Sequence, residues 1–111
     1  MPTISKDNNC VTLINIFTVE SAKQQQLIDL LIRATTTTVG NVAGFTSASF
    51  LRGFDGTKVA VCAQWRSKED DQAMRSNPSA SPYMEQALAL AKFDPGMYEV
   101  VDVLPKPITN A

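Results

Sequence analysis

The sequence predicts an α+β domain with the element order β-α-β-β-α-β. Apolar, β-branched strand segments alternate with two amphipathic helical regions, and an Asp-Gly pair at 55–56 joins the two central strands in a hairpin. The 111 residues contain no internal repeat and no linker that would separate domains, so they suit one domain with a modest core. We expect an antiparallel four-stranded sheet with helices on one face.

The segment Lys58–Ser67 organises the chain. Five consecutive small apolar residues leave neither face of this strand polar, which is typical of burial on both sides. Trp65, the only tryptophan, ends the row of small residues that leave space beside its ring. The sequence therefore predicts a pocket wall here.

The first strand is predicted over Val11–Val19, where Asn15 is a lone amide in an apolar row. Ser21 and Gln24 have the spacing of a capping box and predict the start of the first helix, which we expect to end near Gly40.

The second strand is predicted from Phe45 to Leu51 or Arg52, with Phe45 on the face opposite Phe50. Ser67 is predicted to cap the second helical region, whose charge run 68–71 is expected to be solvated.

A break is predicted at Asn77-Pro78 and a new start at Ser81-Pro82, followed by an apolar stripe of Met84, Leu88 and Ala91. A turn is predicted at 94–96, and a last strand over Met97–Leu104. The domain is expected to span residues 10–104, between a flexible arm at 1–9 and a tail at 105–111.

Composition excludes several classes of function. A net charge of −1 favours neither nucleic acid nor an anionic membrane as a partner, and no apolar run could span a bilayer. The chain has no histidine, which removes His-dependent nucleophiles, His-ligated haem and most zinc sites. We expect no metal and no cofactor. Cys10 and Cys62 are predicted to be reduced thiols of a cytoplasmic protein.

The element order is that of the ferredoxin-like, split β-α-β-β-α-β fold. Two helical regions cover only one face of a four-stranded sheet, yet the first, third and last predicted strands are apolar on both faces. We therefore expect a homodimer in which a second copy covers the other face. The pocket is expected between sheet and helices within one subunit.

The chain resembles the antibiotic-biosynthesis-monooxygenase superfamily of dimeric α/β barrels. The matching segments are Leu13–Val19, Ala43–Phe45, Asp55–Thr57, Ala63–Ser67, Phe93–Pro95 and Tyr98–Val101. The resemblance implies a cofactor-independent monooxygenase that oxidises a small aromatic quinol, phenol or anthrone-like substrate with dioxygen. In this chemistry the substrate anion itself reduces dioxygen, while the protein promotes deprotonation and excludes water.

The resemblance also implies the site residues. Asn15 matches the family's first-strand asparagine and is predicted to orient an enolate, and Trp65 matches its strand-end tryptophan. Phe17, Phe50 and Met84 are predicted to bind substrate. Tyr83 is the nearest candidate for the histidine that many members carry. Some members have Asn-Tyr where this chain has Val61-Cys62, so a second polar contact is missing.

Two other classes of function stay open from the sequence. One is a non-redox isomerase or cyclase on the same scaffold, and the other is a dimer that binds a small ligand without catalysis. The apolar rows around Asn15 and Trp65 favour a flat aromatic ligand over a phosphorylated one, since no basic cluster or glycine-rich loop is visible.

Overall fold

A computed structural model describes residues 11–76 and 81–105 of the chain. The strands are β1 (Val11–Val19), β2 (Phe45–Arg52), β3 (Lys58–Trp65), β4 (Ala91–Asp94) and β5 (Met97–Tyr98), and the helices are α1 (Gln24–Thr37), α2 (Lys68–Arg75) and α3 (Ser81–Leu90). The predicted bounds of the first three strands are confirmed. The predicted arm, the break at Asn77-Pro78 and the tail beyond Pro105 lie outside the described residues. No helix in the described ranges is long and apolar enough to cross a membrane.

The strands form one antiparallel sheet in the order β2-β3-β1-β4. The central pair, β1 and β3, lies in register from Val11 opposite Trp65 to Thr18 opposite Lys58. This order, with the helical regions between strands, is the predicted ferredoxin-like α+β fold. The hairpin between β2 and β3 turns at Gly56, whose φ of +84° is a conformation that glycine adopts without strain.

The last strand begins six residues earlier than the sequence predicts. Ile16 lies opposite Asp94 and Leu13 opposite Met97, so β4 and β5 keep one register along β1. The residues between them do not turn the chain, because the amide of Ile14 donates to the carbonyl of Gly96 at 2.9 Å. The predictions of a turn at 94–96 and of a strand over 97–104 were therefore wrong.

One contact favours this register, and the edge position of the strand permits it. Phe17 and Phe93 are cross-strand partners, and their rings stack with centroids 4.9 Å apart. Pro95 lacks an amide donor, but it lies on the edge of the sheet, where a strand tolerates a proline. Sequence periodicity favoured the apolar run that follows, although it makes fewer contacts with β1.

The predicted capping box at the start of α1 was also wrong. A single 3₁₀ turn precedes the helix, and neither end of that turn has a side-chain cap. The buried Gln24 instead donates from Nε2 to the carbonyls of Gly53, at 3.1 Å, and Lys58, at 2.9 Å. Its Oε1 accepts from Nη1 of Arg52 at 3.2 Å. Gln24 therefore holds the hairpin against the helix, and its side chain is not available to reach back to the cap.

A β-bulge changes the faces of β2. Phe45 lies opposite Trp65 and Ser47 opposite Gln64, so one extra residue sits between them on β2. Phe45 consequently shares the inner face with Phe50, contrary to the prediction. Its ring meets the indole of Trp65 edge to face, with centroids 5.5 Å apart.

The buried stripe of α3 differs from the predicted one. Ala87 is buried, and Tyr83 and Leu90, four residues before and three after it, are half-buried. Of the predicted stripe, Met84 and Leu88 are 41% and 52% exposed, and Ala91 is half-buried at the start of β4. Ala87 therefore marks the face of α3 that packs on the core.

The core consists of two groups. The first cluster is the set of buried residues Phe17, Val19, Leu27, Ile28, Leu30, Val59, Val61 and Ala87. The second cluster is Leu13, Ala63 and Trp65, with half-buried neighbours that include Phe45, Ala48 and Met74. A cavity lies between sheet and helices, and both clusters contribute to its wall.

Candidate active site

The cavity between the inner sheet face and the helices has a volume of about 440 Å³. This size falls in the range of small-ligand sites. Its wall includes all six residues that the sequence singled out: Asn15, Phe17, Phe50, Trp65, Tyr83 and Met84. The fold therefore brings the predicted site residues together, while their roles remain predictions.

Asn15 lies in the middle of β1, opposite Val61 of β3. Its side chain is half-buried, and Oδ1 is buried with no hydrogen-bond partner in the described ranges. An unsatisfied buried polar atom of this kind costs about 1–3 kcal/mol. Rotating the amide exchanges its oxygen and nitrogen, so Asn15 can present an acceptor or a donor to a ligand.

Trp65 closes the cavity at the end of β3. The residue is 1% exposed and packs with Leu13 and Ala63 in the second cluster. The chain leaves the strand directly into α2, whose N-terminus is capped by Ser67 as predicted: Ser67 Oγ accepts from the amide of Asp70 at 3.2 Å. Trp65 thus belongs to the core and to the cavity wall at once.

Tyr83 lines the cavity from α3, but its hydroxyl is engaged elsewhere. The Tyr83 oxygen lies 3.0 Å from Oγ1 of Thr37, which itself donates to the carbonyl of Arg33 at 2.8 Å. Because Thr37 has only one hydroxyl proton, Tyr83 is the donor in this pair. The hydroxyl therefore joins α3 to α1, and a role for Tyr83 in place of a histidine stays a prediction.

Asp71 is a cavity residue that the sequence did not predict. It is 0% exposed, Oδ2 accepts from Nε of Arg75 at 3.0 Å, and Oδ1 has no partner among the described residues. Both Asp71 and Arg75 contribute to the cavity wall. The expectation of a solvated run at 68–71 was therefore wrong at Asp71. Met74, three residues further on the same helix face, was the available sign that this face turns inward.

The preceding carboxylate, Asp70, has a different environment. It accepts from Nε of Arg66 at 2.8 Å and from Oγ of Ser67 at 2.9 Å. The hydrogen bond from Arg66, and then that from Ser67, lower the pKa of Asp70 below its usual value. Asp70 also packs on Gly44, where φ is +90° and an added Cβ would clash with the Asp70 side chain. Asp70 therefore anchors the start of α2 to the start of β2, outside the cavity wall.

Comparison with known proteins identifies the family. The family model described as antibiotic biosynthesis monooxygenase matches residues 10–86. The chain is 36% identical over 100 residues to tetracenomycin-F1 monooxygenase of Streptomyces glaucescens, covering 90% of this chain and 89% of that protein.

Solved structures share the fold. SnoaB of Streptomyces nogalater, a cofactor-independent oxygenase crystallised as the mutant N63A, superposes with a TM-score of 0.79 at 22% identity, covering 88% of this chain and 99% of that one. A monooxygenase from the gene ActVA-Orf6 of Streptomyces coelicolor, in complex with nanaomycin D, superposes with a TM-score of 0.76 at 23% identity, covering 86% and 92%. The chain therefore belongs to the antibiotic biosynthesis monooxygenase family, and the prediction of a monooxygenase on this scaffold is confirmed.

Proposed function

We propose that the protein is a cofactor-independent monooxygenase that oxidises a small aromatic quinol, phenol or anthrone-like substrate with dioxygen. The observation that carries the proposal is an apolar cavity of about 440 Å³ with Asn15 in its wall, whose Oδ1 is buried and has no partner among the described residues. The tetracenomycin-F1 monooxygenase, at 36% identity, supports an aromatic substrate of comparable class.

The residues of the cavity wall would have different roles in the reaction. Asn15 orients the substrate oxyanion, because an amide donor directed at developing negative charge stabilises the transition state. Trp65, Phe17 and Phe50 form aromatic walls for a flat ring. Met84, 41% exposed, lines the cavity nearer to solvent, and Tyr83 contributes a wall held in place by its bond to Thr37. These residues hold the anion beside dioxygen and exclude water.

The test is Asn15→Ala, assayed by oxygen uptake with a reactive quinol and by thermal unfolding on the same preparation. Loss of one oxyanion donor corresponds to about 2.7–4 kcal/mol, so turnover should fall about a hundredfold or more. Asn41→Ala is the matched control, because Asn41 is exposed, lies outside the cavity wall and donates from Nδ2 to the carbonyl of Thr37.

Unchanged turnover per folded subunit in Asn15→Ala, with a lower melting temperature, would make Asn15 a purely structural residue. A wild type that binds quinols without consuming oxygen would favour the non-redox or ligand-binding alternatives.

The proposed active form is a cytoplasmic homodimer. The outer face of the sheet carries Ile14 and Leu51, 37% and 50% exposed, with the half-buried Ile16, Ala60 and Cys62 beside them. A second copy would cover this apolar surface, and the free thiol of Cys62 suits a reducing compartment. Light scattering should give twice the mass of the 12.1 kDa chain, and a stable monomer would contradict the dimer.

A further inference from the structure

The proposed oxidation begins when the substrate loses a proton, and the cavity must supply a group that takes it. The sequence contains no histidine, the side chain that most often serves as a general base. Among the described residues of the cavity wall, the ionisable side chains are Asp71, Arg75, Tyr83 and Glu85. The environment of each of these four side chains decides which one can take the substrate proton.

Three of the four are unsuited to the role. Tyr83 holds its proton in the hydrogen bond to Thr37. Arg75 carries a guanidinium group, which has donors only and cannot accept a proton. Glu85 is exposed on α3, where water competes for its carboxylate. Asp71 is the remaining carboxylate, and it is fully buried.

The two oxygens of Asp71 have different partners. Arg75 holds Oδ2 through Nε at 3.0 Å, which fixes the orientation of the carboxylate. Oδ1 is buried and has no partner in residues 11–76 and 81–105. A buried carboxylate oxygen normally has a hydrogen bond, and a ligand hydroxyl in the cavity would provide one.

We propose that Asp71 is the general base of the reaction and that Arg75 is its positioning residue. The inference rests on the proposed function. The substrate O–H bond, or the acidic C–H bond of an anthrone, breaks, and a new O–H bond forms on Oδ1 of Asp71. The bonding electron pair stays on the substrate as an enolate or phenolate. No oxidant or reductant is consumed in this step, and the resulting anion then reduces dioxygen.

The pair also keeps the charge of the site balanced. Before the transfer, the carboxylate of Asp71 compensates the guanidinium of Arg75. After it, Asp71 is neutral and the positive charge of Arg75 faces the substrate anion within the same wall. A buried base without such a cation would leave the new anion uncompensated.

A general base at Asp71 restricts the class of substrate. A base is useful only if the substrate is protonated when it binds, so the protein should select weakly acidic phenols or anthrones whose hydroxyl or methylene is un-ionised at neutral pH. A substrate that is already an anion in solution would meet the carboxylate of Asp71 and be disfavoured.

The test compares the wild type, Asp71→Asn and the charge-matched control Glu69→Gln, which alters an exposed residue of the same helical turn. Asparagine keeps the shape of the side chain and an oxygen for Arg75, but it cannot take the proton. The probe is 1,8-dihydroxyanthrone, bound first without oxygen and then assayed by oxygen uptake. We expect the wild type and Glu69→Gln to bind the coloured anion, and Asp71→Asn to bind the neutral anthrone with turnover about a hundredfold lower or more.

A second variant separates a chemical role from a structural one. In Asp71→Ala, added formate should raise turnover at least tenfold, because the small carboxylate can enter the vacated space. The turnover of Asp71→Asn should not respond to formate. Anion formation in Asp71→Asn, or turnover within threefold of Glu69→Gln, would overturn the assignment and leave the proposed function intact. A wild type that takes up no oxygen with this anthrone or with quinols would overturn both.

Discussion

The two clusters of the core differ in how completely they are packed. The first cluster has eight buried apolar residues, drawn from the sheet, α1 and α3. The second cluster has only three, and most of its neighbours are half-buried. Apolar surface that stays partly uncovered in the free protein is surface that a ligand can bury on binding. All three buried residues of the second cluster line the cavity, whereas five of the eight in the first cluster lie away from it. The second cluster therefore lies wholly at the site, and the first cluster also packs the fold at a distance from it.

The largest effect on stability is expected at Leu27, which is 0% exposed in the first cluster. Leu27→Ala should lower the free energy of unfolding by about 2–5 kcal/mol, because it removes buried contacts and leaves a void. Urea unfolding measures this loss, and Ile32→Ala, at a 43% exposed position of the same helix, is the control. The quinol affinity of the folded protein should not change; a parallel loss of affinity would erase the distinction between the clusters.

An intermediate effect is expected at Trp65 in the second cluster. Trp65→Phe keeps an aromatic wall but shrinks it, so quinol affinity should fall roughly tenfold, or about 1.4 kcal/mol. The weakened edge-to-face pair with Phe45 should lower stability by about 0.5–1.5 kcal/mol. Calorimetric titration and urea unfolding on one preparation compare the two. Unchanged affinity with a stability loss as large as that of Leu27→Ala would place Trp65 with the packing residues alone.

The smallest effect on stability is expected at Asp70, which belongs to neither core cluster. Its pKa in the folded protein is lowered, first by the hydrogen bond from Arg66, so its stabilising contribution is present above the unfolded pKa near 4. That contribution is lost as the pH falls through the lower, folded pKa. Asp70→Asn should therefore flatten the dependence of melting temperature on pH below about pH 4. An unchanged acid slope would contradict this, and turnover at neutral pH should be unaffected.

Local sequence patterns predicted the parts of the fold that local interactions determine. The bounds of β1 and β3, the hairpin at Gly56 and the cap at Ser67 follow from alternation, turn chemistry and capping, and the structure confirms each. The register of the last strand depends on its pairing with β1, which is distant in sequence, and periodicity alone placed that strand too late.

The same division between local and distant interactions holds for the site. Apolar rows and the family resemblance identified six residues that line the cavity. The burial of Asp71 was not predicted, because a carboxylate in a charge run is ordinarily solvated. Its burial depends on the ion pair with Arg75, one turn later along α2. The hydrogen bonds of Gln24 to the hairpin were not predicted, because its partners Gly53 and Lys58 come together only when the hairpin has formed.

Pro95 has a consequence for assembly. An open sheet edge is a template onto which another chain can add a strand, and such growth leads to aggregation. At the β4 edge the proline offers no amide donor, and the strand segments on either side of it have only four and two residues. The missing donor and the short strands both make this edge a poor template for strand addition. Fibre-like growth from this edge is therefore disfavoured.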